Sequence, residues 1–93
     1  MTQHSLTTLS NSIATRLTPN GIHSGIDITI QNVDTSAYVY IGGEGVTSSD
    51  YGYRISPNNG WAIELNGKDS LYAISDTNNS QVAVLTTSLE YGA

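Results

Sequence analysis

Residues 26 to 31 read Ile-Asp-Ile-Thr-Ile-Gln, and this strict two-residue repeat constrains the fold more than any other feature of the chain. Successive side chains of a strand point to opposite faces, so such a segment has one apolar and one polar face. An amphipathic helix would instead repeat its apolar positions every three or four residues. The strand signature returns at Trp61-Ala62-Ile63-Glu64-Leu65, where Trp61, Ile63 and Leu65 share one face and Ala62 and Glu64 the other. No segment carries a sustained helical stripe.

The stretches between are rich in turn residues. Asn32 to Ser36 leads into a β-branched and aromatic strand, Ala37 to Ile41, which Gly42-Gly43-Glu44-Gly45 ends. Tyr51 to Ile55 is a short strand followed by the turn Ser56-Pro57-Asn58-Asn59-Gly60, and Asn66-Gly67 favours a tight reversal. Leu71 to Ser75 and Gln81 to Leu85 read as a hairpin around the loop Asp76 to Ser80. Ser12 to Leu17 is a weaker strand before the turn Pro19-Asn20-Gly21.

Turns every eight to twelve residues between short strands predict an all-β antiparallel sandwich or a small barrel. The expected fold is a small β-sandwich of six to eight strands, jelly-roll or immunoglobulin-like. Residues 1–11 hold few apolar groups, so a flexible N-terminal arm is expected there, with one sandwich domain over 12–93.

Ser, Thr and Asn make up thirty-one of the 93 residues, a composition that suits strands and turns, not helical bundles. A chain this short buries only about 60–65% of its unfolded surface. It contains no cysteine, so no disulfide can supplement a thin core, and its two histidines cannot alone build a structural zinc site. Association with copies of itself or with a larger assembly is the remaining common remedy. Three Lys and Arg against eight Asp and Glu give a net charge of −5, which disfavours nucleic acid and anionic membrane surfaces as partners. No apolar run approaches the ~20 residues of a membrane span. The first twelve residues show neither the basic nor the apolar region of a signal peptide, so synthesis in a cytoplasm is expected.

Catalytic and metal-binding patterns are weak. His23, Ser24 and Asp27 invite comparison with a Ser/His/acid set, but they crowd into one loop and strand start, whereas triads are assembled from separate elements. Asp76-Thr77-Asn78-Asn79-Ser80 and Ser48-Ser49-Asp50 offer oxygen atoms without the offsets of a calcium loop. Gly42 to Gly45 lacks the Gly-Lys-Ser/Thr continuation of a phosphate cradle, and Glu44 would repel phosphate. No catalytic residue, cofactor or metal is therefore assigned. The aromatics are more informative. Tyr38 and Tyr40 alternate with Val39 and Ile41, and Tyr51, Tyr53, Trp61, Tyr72 and Tyr91 join them in a chain without Phe. Tyr and Trp are enriched at interfaces, which makes Tyr38, Tyr40, Tyr51, Tyr53 and Trp61 the candidate interface residues.

From His23 to Glu90 the chain resembles a family of small virion structural proteins of tailed bacteriophages. The stretches that carry the resemblance are HSGIDITIQN (23–32), AYVYIGGEGV (37–46), YGYRISP (51–57), WAIEL (61–65), LYAIS (71–75) and VAVL (82–85). It implies a β-sandwich without enzymatic activity that serves as a capsid decoration (cement) protein. Such a protein binds the major capsid protein on the virion surface and clusters with its own copies, as a homotrimer on a local three-fold axis. Related roles in tail, neck or head-fibre proteins, some of them glycan- or receptor-binding, are implied as the alternative.

Overall fold

In the computed structural model, which describes residues 2–18, 25–65 and 70–88, the alternation at 26–31 becomes a strand that serves two faces at once. Ile26, Ile28, Ile30 and Asn32 are buried, while Asp27, Thr29 and Gln31 face solvent. The strands are β1 (Gln3–Leu9), β2 (Thr15–Arg16), β3 (Ile26–Asn32), β4 (Val39–Gly42), β5 (Tyr53–Ile55), β6 (Gly60–Leu65), β7 (Tyr72–Ser75) and β8 (Ser80–Ser88). They form two four-stranded antiparallel sheets, ordered β1-β8-β3-β6 and β2-β7-β4-β5. The expected all-β sandwich is the observed fold.

The connectivity is nested. First pairs with last (β1 with β8), then β2 with β7, β3 with β6 and β4 with β5. Only the β4–β5 connection joins hydrogen-bonded neighbours; every other connection carries the chain from one sheet to the other. This order differs from the immunoglobulin-like one, in which the first two strands are sheet neighbours. The expected 71–85 hairpin is likewise corrected, because β7 pairs with β2 and β4 while β8 pairs with β1 and β3. A short turn-forming loop brings two strands close but does not decide whether they share a sheet. The expected N-terminal arm is also corrected: residues 3–9 pair with β8 along seven consecutive positions and form a sheet edge. Their few apolar groups reflect an edge strand exposed on both faces, with only Leu9 fully buried. The turns expected at Pro19-Asn20-Gly21 and Asn66-Gly67 lie outside the described residues.

One aliphatic cluster fills the space between the sheets. Leu9, Ile28, Ile30 and Val82 enter it from the first sheet, and Val39, Ile41, Ile55 and Ala73 from the second. Each is at most 1% exposed. Replacing Ile30 by Ala is expected to cost about 2–5 kcal/mol, the range for truncating a buried aliphatic side chain. Denaturant titration would check this.

Asn32 is the buried polar link between the layers. Its Nδ2 donates to the Ala37 carbonyl at 2.8 Å and the Ile55 carbonyl at 3.3 Å, and its Oδ1 accepts the Asp34 N–H at 3.1 Å. The next turn is ordered by Asp34, whose Oδ1 accepts the N–H groups of Ser36 at 2.9 Å and Ala37 at 3.0 Å. These backbone donors hold the Asp34 carboxyl below its ordinary value of 3.8. A depressed carboxylate stabilises the fold above its unfolded pKa, and that contribution is lost as pH falls through the folded value. The stability gap between the native chain and Asp34→Ala should therefore be full at neutral pH and close on acidification below about pH 4. Asn32→Ala should cost about 2–3 kcal/mol, because buried carbonyls then lose their donor. Urea unfolding at several pH values tests both.

Candidate functional site

Strand β4 places Val39 and Ile41 in the core, and its alternation sends Tyr40 to the opposite, outer face of the second sheet. Tyr38 precedes the strand with the same outward parity and is partly exposed. Across the β4–β5 pair Arg54 lies opposite Tyr40. The Arg54 guanidinium carbon sits 4.9 Å from the Tyr38 ring centre, within cation–π range. Tyr51 completes the group, with its ring centre 4.8 Å from that of Tyr40 and tilted by 49°.

The backbone beneath these rings is pinned from the neighbouring strand. The Tyr38 N–H donates to Asp76 Oδ1 at 3.1 Å, and the Tyr38 carbonyl accepts the Asp76 N–H at 3.1 Å. On β7, Ile74 faces outward opposite Tyr40 and is still only 3% exposed, although it lies outside the core cluster. Arg16, across from Tyr72 on the same outer face, donates to Ser70 Oγ at 3.0 Å. Among the described residues, both arginines and the tyrosines Tyr38, Tyr40, Tyr51 and Tyr72 thus gather on the outer side of one sheet. Tyr, Trp and Arg dominate the residues that carry binding energy at protein interfaces.

The five expected interface residues divide into two groups. Tyr38, Tyr40 and Tyr51 belong to this outer face. Tyr53 and Trp61 stack instead across the seam between edge strands β5 and β6, with centres 5.1 Å apart and planes 18° from parallel. By register both point inward, Tyr53 opposite Ile41 and Trp61 opposite Ile30. Trp61 packs against the core, whereas Tyr53 is 44% exposed.

Sequence reasoning missed Arg54, which lies over Tyr38, because nothing local shows what a strand arginine will cover. It also missed the outer face of the first sheet, where Leu6 is 63% and Leu85 43% exposed around half-buried Ala83. Leu6 falls within residues 1–11, where an arm is expected from the sequence. At the other end of that face Asp27 and Glu64 stand directly opposite one another on β3 and β6, so it is acidic where the tyrosine face carries cations.

The weaker motifs resolve into turn structure. Asp76 Oδ1 takes up the Tyr38 N–H and the Thr77 hydroxyl at 3.1 Å each, and Asn79 adopts a left-handed φ of 68°. Thr47 Oγ1 accepts the Asp50 N–H at 3.0 Å, which closes the 47–50 turn. No helix follows Gly42 to Gly45; a Cβ on Gly42 would lie 3.0 Å from Val46 Cγ2, so a larger residue there would have to displace the Val46 side chain by a few tenths of an ångström. Among the described residues no group of three or more His, Cys, Asp or Glu could hold a metal ion. Asp27 faces solvent, and His23 and Ser24 lie outside the described residues, as does Tyr91.

No family model, curated protein or solved structure matches this chain. What it can do is therefore read from its surfaces. They include an aromatic, hydroxyl-bearing face on which the backbone of Tyr38 is held by Asp76.

Trp61 is the sole tryptophan, so the seam can be observed directly. Tyr53→Ala should shift Trp61 fluorescence to the red as the indole gains water contact. It should destabilise the chain by about 0.5–1.5 kcal/mol, the worth of an aromatic pair.

Proposed function

We propose that this chain is a virion structural protein of a tailed bacteriophage, acting as a capsid decoration (cement) protein on the outer face of the major capsid protein shell. The observation that carries this reading is the face built from Tyr38, Tyr40, Tyr51 and Arg54: an exposed ring at Tyr51 and half-buried rings at Tyr38 and Tyr40, with the backbone of Tyr38 held by Asp76. A rigid, pre-ordered aromatic surface loses little conformational freedom on docking. Its phenolic hydroxyls can meet the polar groups of a partner while the rings exclude water.

The architecture agrees with this role. The nested order β1-β8-β3-β6 over β2-β7-β4-β5 is compatible with a jelly roll, an arrangement used by viral capsid and lectin domains. The small core likewise suits a protein that completes its burial against neighbours. A cement protein placed across capsomer boundaries would hold together subunits that internal pressure separates. Copies clustered on the shell would multiply weak contacts through avidity. Such a protein is made in the host cytoplasm and resides on the particle, with the capsid protein and its own copies as partners.

The test is attachment to particles that lack the protein. Tyr38→Ala and Tyr40→Ala should each weaken attachment about tenfold or more, the loss expected for a contact worth ~1.4 kcal/mol or more. Their thermal midpoints should shift by only a few degrees. An equal loss of folding and attachment would make these rings structural. Quantitative mass spectrometry of virions should find copy numbers near that of the capsid protein. A few copies per particle would transfer the chain to a tail, neck or head-fibre role, and specific binding on a glycan array would make it a receptor module.

A further inference from the structure

Strand β1 is an unusual edge. Exposed sheet edges offer unpaired N–H and C=O groups to any other strand, and proteins blunt them with charge, proline, bulges or short length. Residues 3–9 (QHSLTTL) contain no Asp, Glu, Lys, Arg or Pro. They run for seven residues in unbroken register with β8, which also carries no charged residue. Among the described residues no strand pairs with the other side of β1. The remaining edges are guarded. β2 has two residues including Arg16, β5 has three including Arg54, and β6 contains Glu64. The Tyr53–Trp61 stack also closes the β5–β6 side.

We infer that β1 is a self-association edge, which pairs antiparallel with β1 of a second copy to make one continuous eight-stranded sheet. The occupant is a second copy because the strand complements itself. Pairing about a two-fold axis through Leu6 uses the whole strand: Gln3 meets Leu9, His4 meets Thr8, Ser5 meets Thr7, and Leu6 meets Leu6. No like charges are opposed. For a chain of net charge −5, this is the edge where a second copy approaches with least repulsion. The pairing also covers an exposed apolar group. Leu6, 63% exposed, borders a shallow apolar groove with Ala83 and Leu85 on the outer face, and the two-fold places both Leu6 side chains together between the two grooves. The result is an isologous pair, not the three-fold cluster that the phage resemblance implies.

The inference rests on the assembly reading only for its purpose. Pairing is measured on isolated protein and decoration on particles, so either can fail alone. Because the chain has no cysteine, Leu6→Cys introduces a single thiol. Directly opposed residues in an antiparallel pair have Cβ atoms about 4.5–5.5 Å apart, close to disulfide range. Leu6→Cys should therefore cross-link to a covalent dimer under mild oxidation at least ten times faster than Glu44→Cys, a control thiol in an exposed loop. In sedimentation velocity across micromolar concentrations the native chain should form a dimer. Leu6→Lys, which opposes two ammonium groups on the axis, should weaken that dimer at least tenfold with an unchanged circular dichroism spectrum. A folded native chain that sediments as a monomer throughout would overturn the inference. So would an oligomer in which Leu6→Cys cross-links no faster than the control, or one that Leu6→Lys leaves intact.

Discussion

A single layer of aliphatic side chains holds the two sheets together, and the rest of the molecule is arranged around how little that layer encloses. Ile28, Ile30, Val39, Ile41, Ile55 and Val82 are almost completely removed from water, while no cysteine exists to add a covalent tie. Close packing of a thin layer requires the sheets to be held in one fixed relation. Asn32 contributes to this directly. Its amide spans from β3 to carbonyls at the approach to β4 and at the end of β5, and its own N–H donates to Asn59 at 2.9 Å. The Tyr53–Trp61 stack closes the lateral seam between β5 and β6.

The nested order has a physical consequence for the surface. Because nearly every connection crosses between sheets, each sheet is assembled from strands distant in sequence, and each outer face mixes residues from all parts of the chain. One outer face gathers Tyr38, Tyr40, Tyr51, Tyr72, Arg16 and Arg54; the other gathers Leu6, Ala83 and Leu85 at one side and Asp27 with Glu64 at the other. One is aromatic and cationic and the other is apolar grading to acidic, so the two outer faces differ in chemistry.

Strand class was legible from local pattern. Wherever one face is buried and the other wet, the two-residue period is written directly into the residue order, as at Ile26, Ile28 and Ile30. The tyrosine face was half legible: the parity of Tyr38 and Tyr40 against Val39 and Ile41 was visible, but Arg54 and the pinning carboxylate of Asp76 were not. The strand at residues 3–9 was not legible at all. Its alternation is weak because it is exposed on both faces, and burial on one face is what makes the period visible. The 76–79 loop misled for a related reason, since turn residues record a reversal of direction and say nothing about which sheet receives the next strand.

The amino-acid order by itself determined that the chain is all-β, where its main strands lie, which side chains point inward, and that charge is scarce and mostly negative. Those properties depend on backbone parity and side-chain chemistry, which act over a few residues. Only the tertiary structure decided the nesting of first strand with last, the gathering of tyrosines and arginines on one face, and the placing of uncharged β1 at a sheet edge among the described residues. Each of these is a relation between segments far apart in the chain, set by which apolar faces could be buried against one another in a single closed layer.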